Sequence, residues 1–219
     1  MTEASSLAEG LEAGLQALGL DLSPLQRGQL LDYLALIQKW NRVYNLTALR
    51  EPQEMLSHHL LDSLSVVGPV RRYAAGRDLR LLDVGSGAGL PGVVLAICCP
   101  ELAVDCVDTV GKKAAFIQQV ALTLKLPRLR GVHDRVERLV GQYDLVCSRA
   151  FASLADFVGG SDAALAGEGA WLAMKGKYPA DEVAVLPSRV GVFHVEPLAV
   201  PGLDAERCLL WLQRAQPVT

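Results

Sequence analysis

The chain has 219 residues and is 51% hydrophobic, so it can bury one substantial core and carry a small extension beside it. Its net charge of -3 excludes a protein that coats nucleic acid over its whole surface, although it leaves room for a local basic face. No apolar run reaches membrane-spanning length and residues 1–10 lack the pattern of a signal peptide, which predicts a cytoplasmic protein without membrane contact.

The five cysteines predict buried thiols rather than a metal site or disulfides, because they lie in apolar segments without C-x-x-C spacing. This spacing also leads us to expect that the protein binds no metal. No uncovered heptad repeat suggests a dimer, so we expect a monomer. The cysteines are Cys98, Cys99, Cys106, Cys147 and Cys208.

Helix signals fill the first 70 or so residues. Leucines recur at three- and four-residue steps between Leu7 and Leu18, which is the spacing of one helix face. The run Ser23-Pro24-Leu25-Gln26 has a capping residue, a first-turn proline and a reciprocating Gln, so it predicts the start of a second helix. A third helix is predicted from Pro52 to about Val67, and Gly68-Pro69, with Gly76 further on, predicts a joint to the rest of the chain.

From Leu79 onward strand and helix signals alternate, which predicts a mostly parallel sheet with helices on both faces. The last two strands are close enough for an antiparallel hairpin. The predicted fold class is therefore α/β, with a helical module in residues 1–70 packed on a sheet domain in residues 71–219. The seven predicted strands cover residues 79–84, 102–107, 129–133, 143–148, 170–174, 190–195 and 207–212.

The stretch from Leu79 to Gly92 reads L-R-L-L-D-V-G-S-G-A-G-L-P-G and predicts a buried strand, a glycine loop and the start of a helix. Three glycines in alternation let a ligand approach the backbone closely, because no Cβ stands in the way. The free N–H groups at the start of the helix suit a nucleotide-like group or a carboxylate. A purely structural turn between strand and helix is the alternative.

The loop favours S-adenosylmethionine over a dinucleotide. The dinucleotide pattern G-x-G-x-x-G fails at Leu90, where its third glycine should stand. Asp83, two residues before the first glycine, would repel a pyrophosphate but can help to hold a cationic methionine group, directly or through water. Asp108 ends the next strand, where a carboxylate can accept hydrogen bonds from ribose hydroxyls or cap the helix that begins near Gly111.

Several motifs resemble those of the ribosomal RNA small-subunit methyltransferase G family, also called glucose-inhibited division protein B. The runs W-N…Y-N-L-T at residues 40–47 and S-R-A-F-A-S-L at residues 148–154 are specific to that family, whereas the glycine loop is generic to class I methyltransferases. The resemblance covers almost the whole chain. Its other motifs are Met55 with His59-Leu60-Leu61-Asp62-Ser63, Asp108-Thr109 before Gly111-Lys112-Lys113, Arg135-Val136-Glu137 and Lys175-Gly176.

The resemblance implies a class I, Rossmann-like methyltransferase that uses S-adenosyl-L-methionine to methylate a guanine N7 of 16S ribosomal RNA. Its partner would be 16S rRNA or the 30S subunit. The alternatives are a class I methyltransferase that acts on another RNA, a protein or a small molecule, and a nucleotide-binding module without chemistry. Because guanine N7 carries no proton at neutral pH, the reaction implied needs no general base.

The resemblance also carries roles over to particular residues. Gly85 and Leu90 would touch the methionine part, residues 108–110 the ribose, and Val136 with Glu137 the adenine edge. Arg149 would orient the substrate, although an arginine that pins a strand end is the alternative. The full cofactor set is Asp83, Gly85, Ser86, Gly87, Gly89, Leu90, Asp108, Thr109, Val110, Val136, Glu137 and Arg149.

Candidate RNA contacts lie at element ends or in polar loops. His59 is the weakest, because a lone histidine on an apolar helix face is more often packed than a ligand. Basic residues are also enriched between Lys112 and Arg149, which fits either a solvated surface or an RNA contact. The residue after Arg207 departs from expectation, since Cys208 stands where a larger polar or aromatic residue is expected. The RNA candidates are Asn45, His59, Lys112, Lys175 and Arg207.

Overall fold

The computed structural model describes residues 3–139 and 142–215. Its centre is a seven-stranded sheet with the order β3-β2-β1-β4-β5-β7-β6. Strands β1 to β5 pair in parallel, whereas β7 is antiparallel to both of its neighbours. The strands are β1 Arg80–Val84, β2 Ala103–Asp108, β3 Leu129–His133, β4 Tyr143–Arg149, β5 Leu165–Lys175, β6 Val190–Pro197 and β7 Cys208–Arg214.

Helices cover both faces of the sheet, as predicted, and the C-terminal hairpin of β6 and β7 is confirmed. None of the helices in the described ranges is long and apolar enough to cross a membrane. The α-helices are α1 Glu3–Leu18, α2 Pro24–Tyr44, α3 Pro52–Met55, α4 Asp62–Leu64, α5 Val67–Ala74, α6 Gly92–Cys98, α7 Gly111–Thr123, α8 Leu154–Ser161 and α9 Ala180–Ala184. Single 3-10 turns lie at Val136–Arg138 and Asp162–Ala164.

The predicted capping box starts α2. The Ser23 hydroxyl oxygen accepts a hydrogen bond from the Gln26 N–H at 3.2 Å, and the Gln26 side chain accepts one from the Ser23 N–H at 3.0 Å. The Gln26 amide also donates to the Ile97 carbonyl at 2.9 Å. The same side chain therefore caps α2 and holds it against α6 of the sheet domain.

The segment between α2 and the sheet differs from the prediction. A π-helical turn, Leu56–Leu61, joins α3 to α4, so residues 52–64 form one irregular helical run. The predicted joint at Gly68-Pro69 is wrong, because both residues lie inside α5. A proline is tolerated in a first helical turn, where its missing N–H has no intrahelical partner to lose. The helix ends at Ala74, before Ala75 and Gly76, which both have positive φ, so the predicted break at Gly76 is where the helix stops.

Two hydrophobic clusters pack on the two faces of the sheet. One contains residues from α1, α2, α6 and α7, among them the fully buried Tyr33 and Phe116. The other lies under α8 and contains Phe157 and Trp171. All five cysteines are buried, as predicted. The division of the chain at residue 70 stays a prediction, and the first cluster includes residues on both sides of it.

Candidate active site

A cavity of about 440 Å³ opens at the carboxyl ends of β1, β2 and β4, the edge at which parallel α/β sheets bind ligands. Seven of the predicted cofactor residues line it: Gly85, Asp108, Thr109, Val110, Val136, Glu137 and Arg149. The remaining lining residues are Val84, Val107, Lys113, Asp134, Ala150, Phe151 and Ala152. The cavity therefore gathers residues from the ends of β1, β2 and β4 and from the 3-10 turn after β3.

The loop glycines divide into two kinds. Gly85 and Gly87 have φ of 64° and 59°, and a Cβ on either would meet no atom closer than 3.9 Å. Gly89, with φ of 92°, lies so close to Val93 that a Cβ would overlap that side chain. A Cβ on Gly92 would stand 2.5 Å from the Cys106 sulfur. The first two leave space for a ligand, whereas the last two are required by packing.

Asp83 lies behind the loop and does not line the cavity. Its carboxylate is fully buried, and Oδ2 accepts a hydrogen bond from the Gly92 N–H at 2.8 Å. Burial raises the pKa of Asp83 to about 7, although the Gly92 N–H and the Arg149 charge act against this rise. Asp83 thus connects β1 to the start of α6, a structural role that the sequence did not indicate.

Four other predicted cofactor residues, Ser86, Gly87, Gly89 and Leu90, are also absent from the lining of the cavity. Leu90 is buried in the hydrophobic cluster beside α2, so the structure does not bring it to the cavity surface. Gly87 is partly exposed and its N–H points to Asp108, which keeps it at the rim of the site.

Asp108 ties the glycine loop to the segment that follows β2. Its Oδ2 accepts a hydrogen bond from the Gly87 N–H at 3.1 Å, and its Oδ1 accepts one from the Val110 N–H at 2.8 Å. Lys113 lies 3.5 Å from Oδ2. An ionised carboxylate has about four acceptor positions, so Asp108 keeps capacity for a ligand hydroxyl while it fixes the backbone before α7.

A second cavity, of about 350 Å³, lies beside the first and shares Arg149 and Ala150 with it. Three of the predicted RNA residues, His59, Lys175 and Arg207, come together in its wall although they are far apart in the sequence. The other lining residues are His58, Asp62, Met174 and Gly176. The shared arginine makes the wall between the two cavities.

Arg149 pins the end of a strand, which is one of the two roles considered for it, and it lies between the two cavities. Its Nη1 donates to Asp62 Oδ2 at 2.9 Å and to the His58 carbonyl at 2.9 Å, so it pins the end of β4 to the helical segment. Its side chain remains partly exposed and lines both cavities. The guanidinium is therefore held at one nitrogen while the rest of it faces the site.

The other basic residues of the second cavity are paired with carboxylates. Lys175 Nζ lies 2.8 Å from Glu182 Oε2, and Arg207 Nε donates to Asp62 Oδ1 at 3.0 Å. Pairing with a carboxylate leaves little charge for a phosphate at Lys175.

Two predicted RNA residues lie outside both cavities. Asn45 directly follows the last residue of α2 and has a φ of 48°. Its side-chain oxygen accepts a hydrogen bond from Arg50 Nη2 at 2.9 Å. Lys112 is exposed on the first turn of α7 and forms no ion pair with any residue that the structure describes.

His59 lies on the π-helical turn and is held by Thr47. The Thr47 hydroxyl oxygen accepts from the Leu49 N–H and is hydrogen-bonded to His59 Nε2 at 2.6 Å. Burial, followed by the Arg149 charge, lowers the pKa of His59 to about 4. His59 is therefore a neutral, packed histidine that is hydrogen-bonded to Thr47, which is the more frequent state of a lone histidine on an apolar helix face.

Several side chains of the site were not predicted from the sequence, and two of them stand out for their contacts. Phe151, which follows β4, lines the first cavity next to Gly85. Asp62 joins Arg149 and Arg207, which lie 87 and 145 residues away in the chain. Both residues stand within quoted motifs, but nothing local in the sequence connects Asp62 with either arginine.

The family model described as rRNA small subunit methyltransferase G matches residues 26–210 of the chain. The chain belongs to the ribosomal RNA small-subunit methyltransferase G family. It is 64% identical over 217 residues to a family protein from Acidovorax ebreus, with 95% of this chain and 96% of that protein covered. It is also 64% identical over 219 residues to one from Albidiferax ferrireducens, with 95% and 98% covered.

Solved structures support the fold of this family member. Magnesium protoporphyrin IX methyltransferase from Synechocystis, solved with bound SAM, aligns with a TM-score of 0.59 at 14% identity, covering 84% of this chain and 98% of that one. TrmN from Thermus thermophilus aligns with a TM-score of 0.55 at 19% identity, covering 73% and 53%. At such identities the likeness shows the class I methyltransferase fold alone.

Proposed function

We propose that the protein transfers a methyl group from S-adenosylmethionine to N7 of a guanine in 16S ribosomal RNA of the small subunit. The observation that carries this proposal is the match to the family over residues 26–210, together with relatives of that name at up to 64% identity. The glycine-loop cavity at the carboxyl edge of the sheet supplies a site for the chemistry.

The first cavity fits the cofactor on three observations. Gly85 and Gly87 leave an open cradle that a side chain would fill, and Asp108 offers carboxylate oxygens beside it. Val136 and Glu137 line the far wall, where an adenine edge would meet one apolar and one acidic side chain. When bound, S-adenosylmethionine would supply an electrophilic methyl group on a sulfonium. Gly85 and Asp108 would hold its methionine and ribose parts.

The residues of the second cavity would orient the acceptor base. Guanine N7 carries an in-plane lone pair and no proton at neutral pH, so attack on the methyl group releases no proton at that atom. His59 is neutral, with a pKa near 4, and its Nε2 is already engaged by Thr47. The chain therefore needs to position the base and exclude water, with Arg149 between the two cavities as the residue that orients it.

The test is methyl transfer to 30S subunits from cells that lack this methylation. Labelled S-adenosylmethionine is mixed with protein and subunits, and the nucleosides of the 16S RNA are separated by mass spectrometry. We expect one 7-methylguanosine per subunit. Naked 16S RNA and ribosomal protein, analysed in parallel, show which form of the substrate is used. Label on an exocyclic amine, or on protein alone, would refute the proposal.

A further inference from the structure

The carboxylate of Asp62 is the meeting point of two arginines. Oδ2 accepts from Arg149 Nη1 at 2.9 Å, and Oδ1 accepts from Arg207 Nε at 3.0 Å, so each oxygen holds one guanidinium. The Asp62 side chain is only 5% exposed. The three residues come from α4, from the end of β4 and from the chain just before β7.

This bridge stands in the wall of the second cavity and leaves it cationic. Two arginines face one carboxylate, whereas Lys175 has Glu182 as its own partner. One positive charge is therefore unbalanced beside the shared wall of the two cavities. That excess suits an acceptor on an anionic polymer, and it does not require either arginine to leave Asp62.

Asp62 also decides which nitrogens of Arg149 remain usable. Both hydrogens of Nη1 are engaged, one by Asp62 and one by the His58 carbonyl. Among the described residues, Arg149 makes its hydrogen bonds through Nη1, so Nε–H and the Nη2 hydrogens stay available to a ligand. The guanidinium plane is fixed before any substrate arrives.

A fixed plane matters for the chemistry proposed above. An arginine that is free to turn binds guanine through a fork on O6 and N7. That contact would occupy the N7 lone pair, which must attack the methyl group. An arginine held at Nη1 cannot turn to follow the base, so its free Nε–Nη2 edge is presented in one fixed direction.

We propose that Asp62 is a positioning residue that fixes the guanidinium groups of Arg149 and Arg207 in one direction, so that guanine is oriented with its N7 towards the methyl group. The inference rests on the proposed function. It goes beyond a simple structural bridge, because it predicts that loss of Asp62 slows methyl transfer without weakening RNA binding. If the bridge only held α4 on the sheet, its loss would lower the methyl-transfer rate and the RNA affinity together, because less of the protein would be folded.

The chain offers a matched control. Asp162 also holds two arginines, one on each oxygen: Arg214 Nε at 3.1 Å and Arg189 Nη2 at 3.3 Å. It lies in the 3-10 turn before β5 and lines neither cavity. Asp162→Asn therefore makes the same chemical change to the same kind of bridge, away from the site.

The experiment compares wild type, Asp62→Asn and Asp162→Asn in single-turnover methyl transfer to unmethylated 30S subunits. Cofactor affinity, affinity for the subunits and thermal midpoint are measured in parallel. For Asp62→Asn we expect the rate at saturating subunits to fall by at least about tenfold, with affinity for the subunits unchanged or tighter because one negative charge is lost. Asp162→Asn should keep the wild-type rate.

A wild-type rate for Asp62→Asn, or a rate loss matched by Asp162→Asn, would overturn the inference alone. Weaker binding of subunits with an unchanged saturated rate would also overturn it. If Asp62→Asn does not fold, Asp62→Glu decides: the extra methylene shifts both guanidinium groups, so a folded variant with a wild-type rate refutes the inference and a slower one supports it. If wild type transfers no methyl group to 16S RNA, the proposed function fails and this inference fails with it.

Discussion

The hydroxyl of Tyr33 on α2 donates a hydrogen bond of 2.7 Å to the carbonyl of Ala88 in the glycine loop. Tyr33 is fully buried and its ring stacks on Phe116 of α7. The helical N-terminal segment thus reaches the cofactor loop directly and fixes the carbonyl between Gly87 and Gly89. The position of that loop depends on a residue that is 55 positions earlier in the chain.

Tyr33→Phe keeps the ring and removes this hydrogen bond, so it leaves the Ala88 carbonyl unpaired in the core. We expect the free energy of unfolding to fall by about 1–3 kcal/mol, and the affinity for S-adenosylmethionine to fall as the loop loosens. Urea unfolding and titration calorimetry measure the two effects. Wild-type cofactor affinity in a destabilised variant would show that the loop keeps its shape without α2.

Gly87→Val places a branched side chain where the structure has open space and a φ of 59°. Gly76→Val is its control. Gly76 has a φ of 76°, a Cβ on it would meet no atom within 4 Å, and it lines neither cavity. Both variants should lose about 1–2 kcal/mol of stability from the left-handed backbone. Only Gly87→Val should weaken cofactor binding, by at least about tenfold. Equal cofactor affinity in the two variants would contradict the loop assignment.

Asp83 should make stability depend on pH. Burial raises its pKa from 3.8 to about 7, so the folded protein binds more protons than the unfolded chain between these values. Stability is therefore highest below the unfolded pKa and is lost as pH rises through 7, by at most roughly 4 kcal/mol.

Asp83→Asn can still accept the Gly92 hydrogen bond but cannot ionise. Its stability relative to wild type should therefore increase from about pH 5 to about pH 8 in urea unfolding. His59 acts with the opposite sign, because its lowered pKa means that stability is lost as pH falls from 6.5 towards about 4. The difference between variant and wild type removes that contribution. A constant difference would mean that Asp83 is ionised throughout.

The rate of methyl transfer should be independent of pH where histidine titrates. N7 loses no proton in the reaction, and His59, with a pKa near 4, stays neutral above about pH 5. Rapid-quench transfer to 30S subunits at saturating cofactor should give a flat profile for wild type and for His59→Gln. A bell-shaped profile that His59→Gln flattens would require an acceptor that loses a proton, such as an exocyclic amine.

Lys112 and Lys175 should contribute differently to the salt dependence of RNA binding. Lys112 is exposed without an ion pair to a described residue, whereas Lys175 is 13% exposed and paired with Glu182. Lys112→Ala should reduce the slope of log affinity against log salt by about 0.7 to 0.9, and Lys175→Ala should change it little. The control is Lys125→Ala, which removes an equal charge from the segment before β3, at the amino ends of the parallel strands. Equal slopes for Lys112→Ala and Lys125→Ala would place the RNA elsewhere.

Local sequence patterns were enough to predict the α/β class, the seven strands and the edge of the sheet at which the first cavity opens. Apolar runs and glycine spacing report local backbone geometry, which is why the strand ending at Val84, the capping box at Ser23 and Asp108 at the end of β2 could be predicted. The same local logic failed at Gly68-Pro69, because a proline in a first helical turn and a proline in a joint have the same sequence signature.

The charge partners and the roles of the individual glycines, in contrast, depend on the three-dimensional fold. Whether Arg149, Lys175 and Arg207 are free for RNA depends on Asp62 and Glu182, which the fold brings to them from other elements. Gly87 and Gly89 look equivalent in the sequence, yet one faces open space and the other faces Val93. Ion pairs and close approaches depend on which segments meet in space, and no local pattern encodes that meeting.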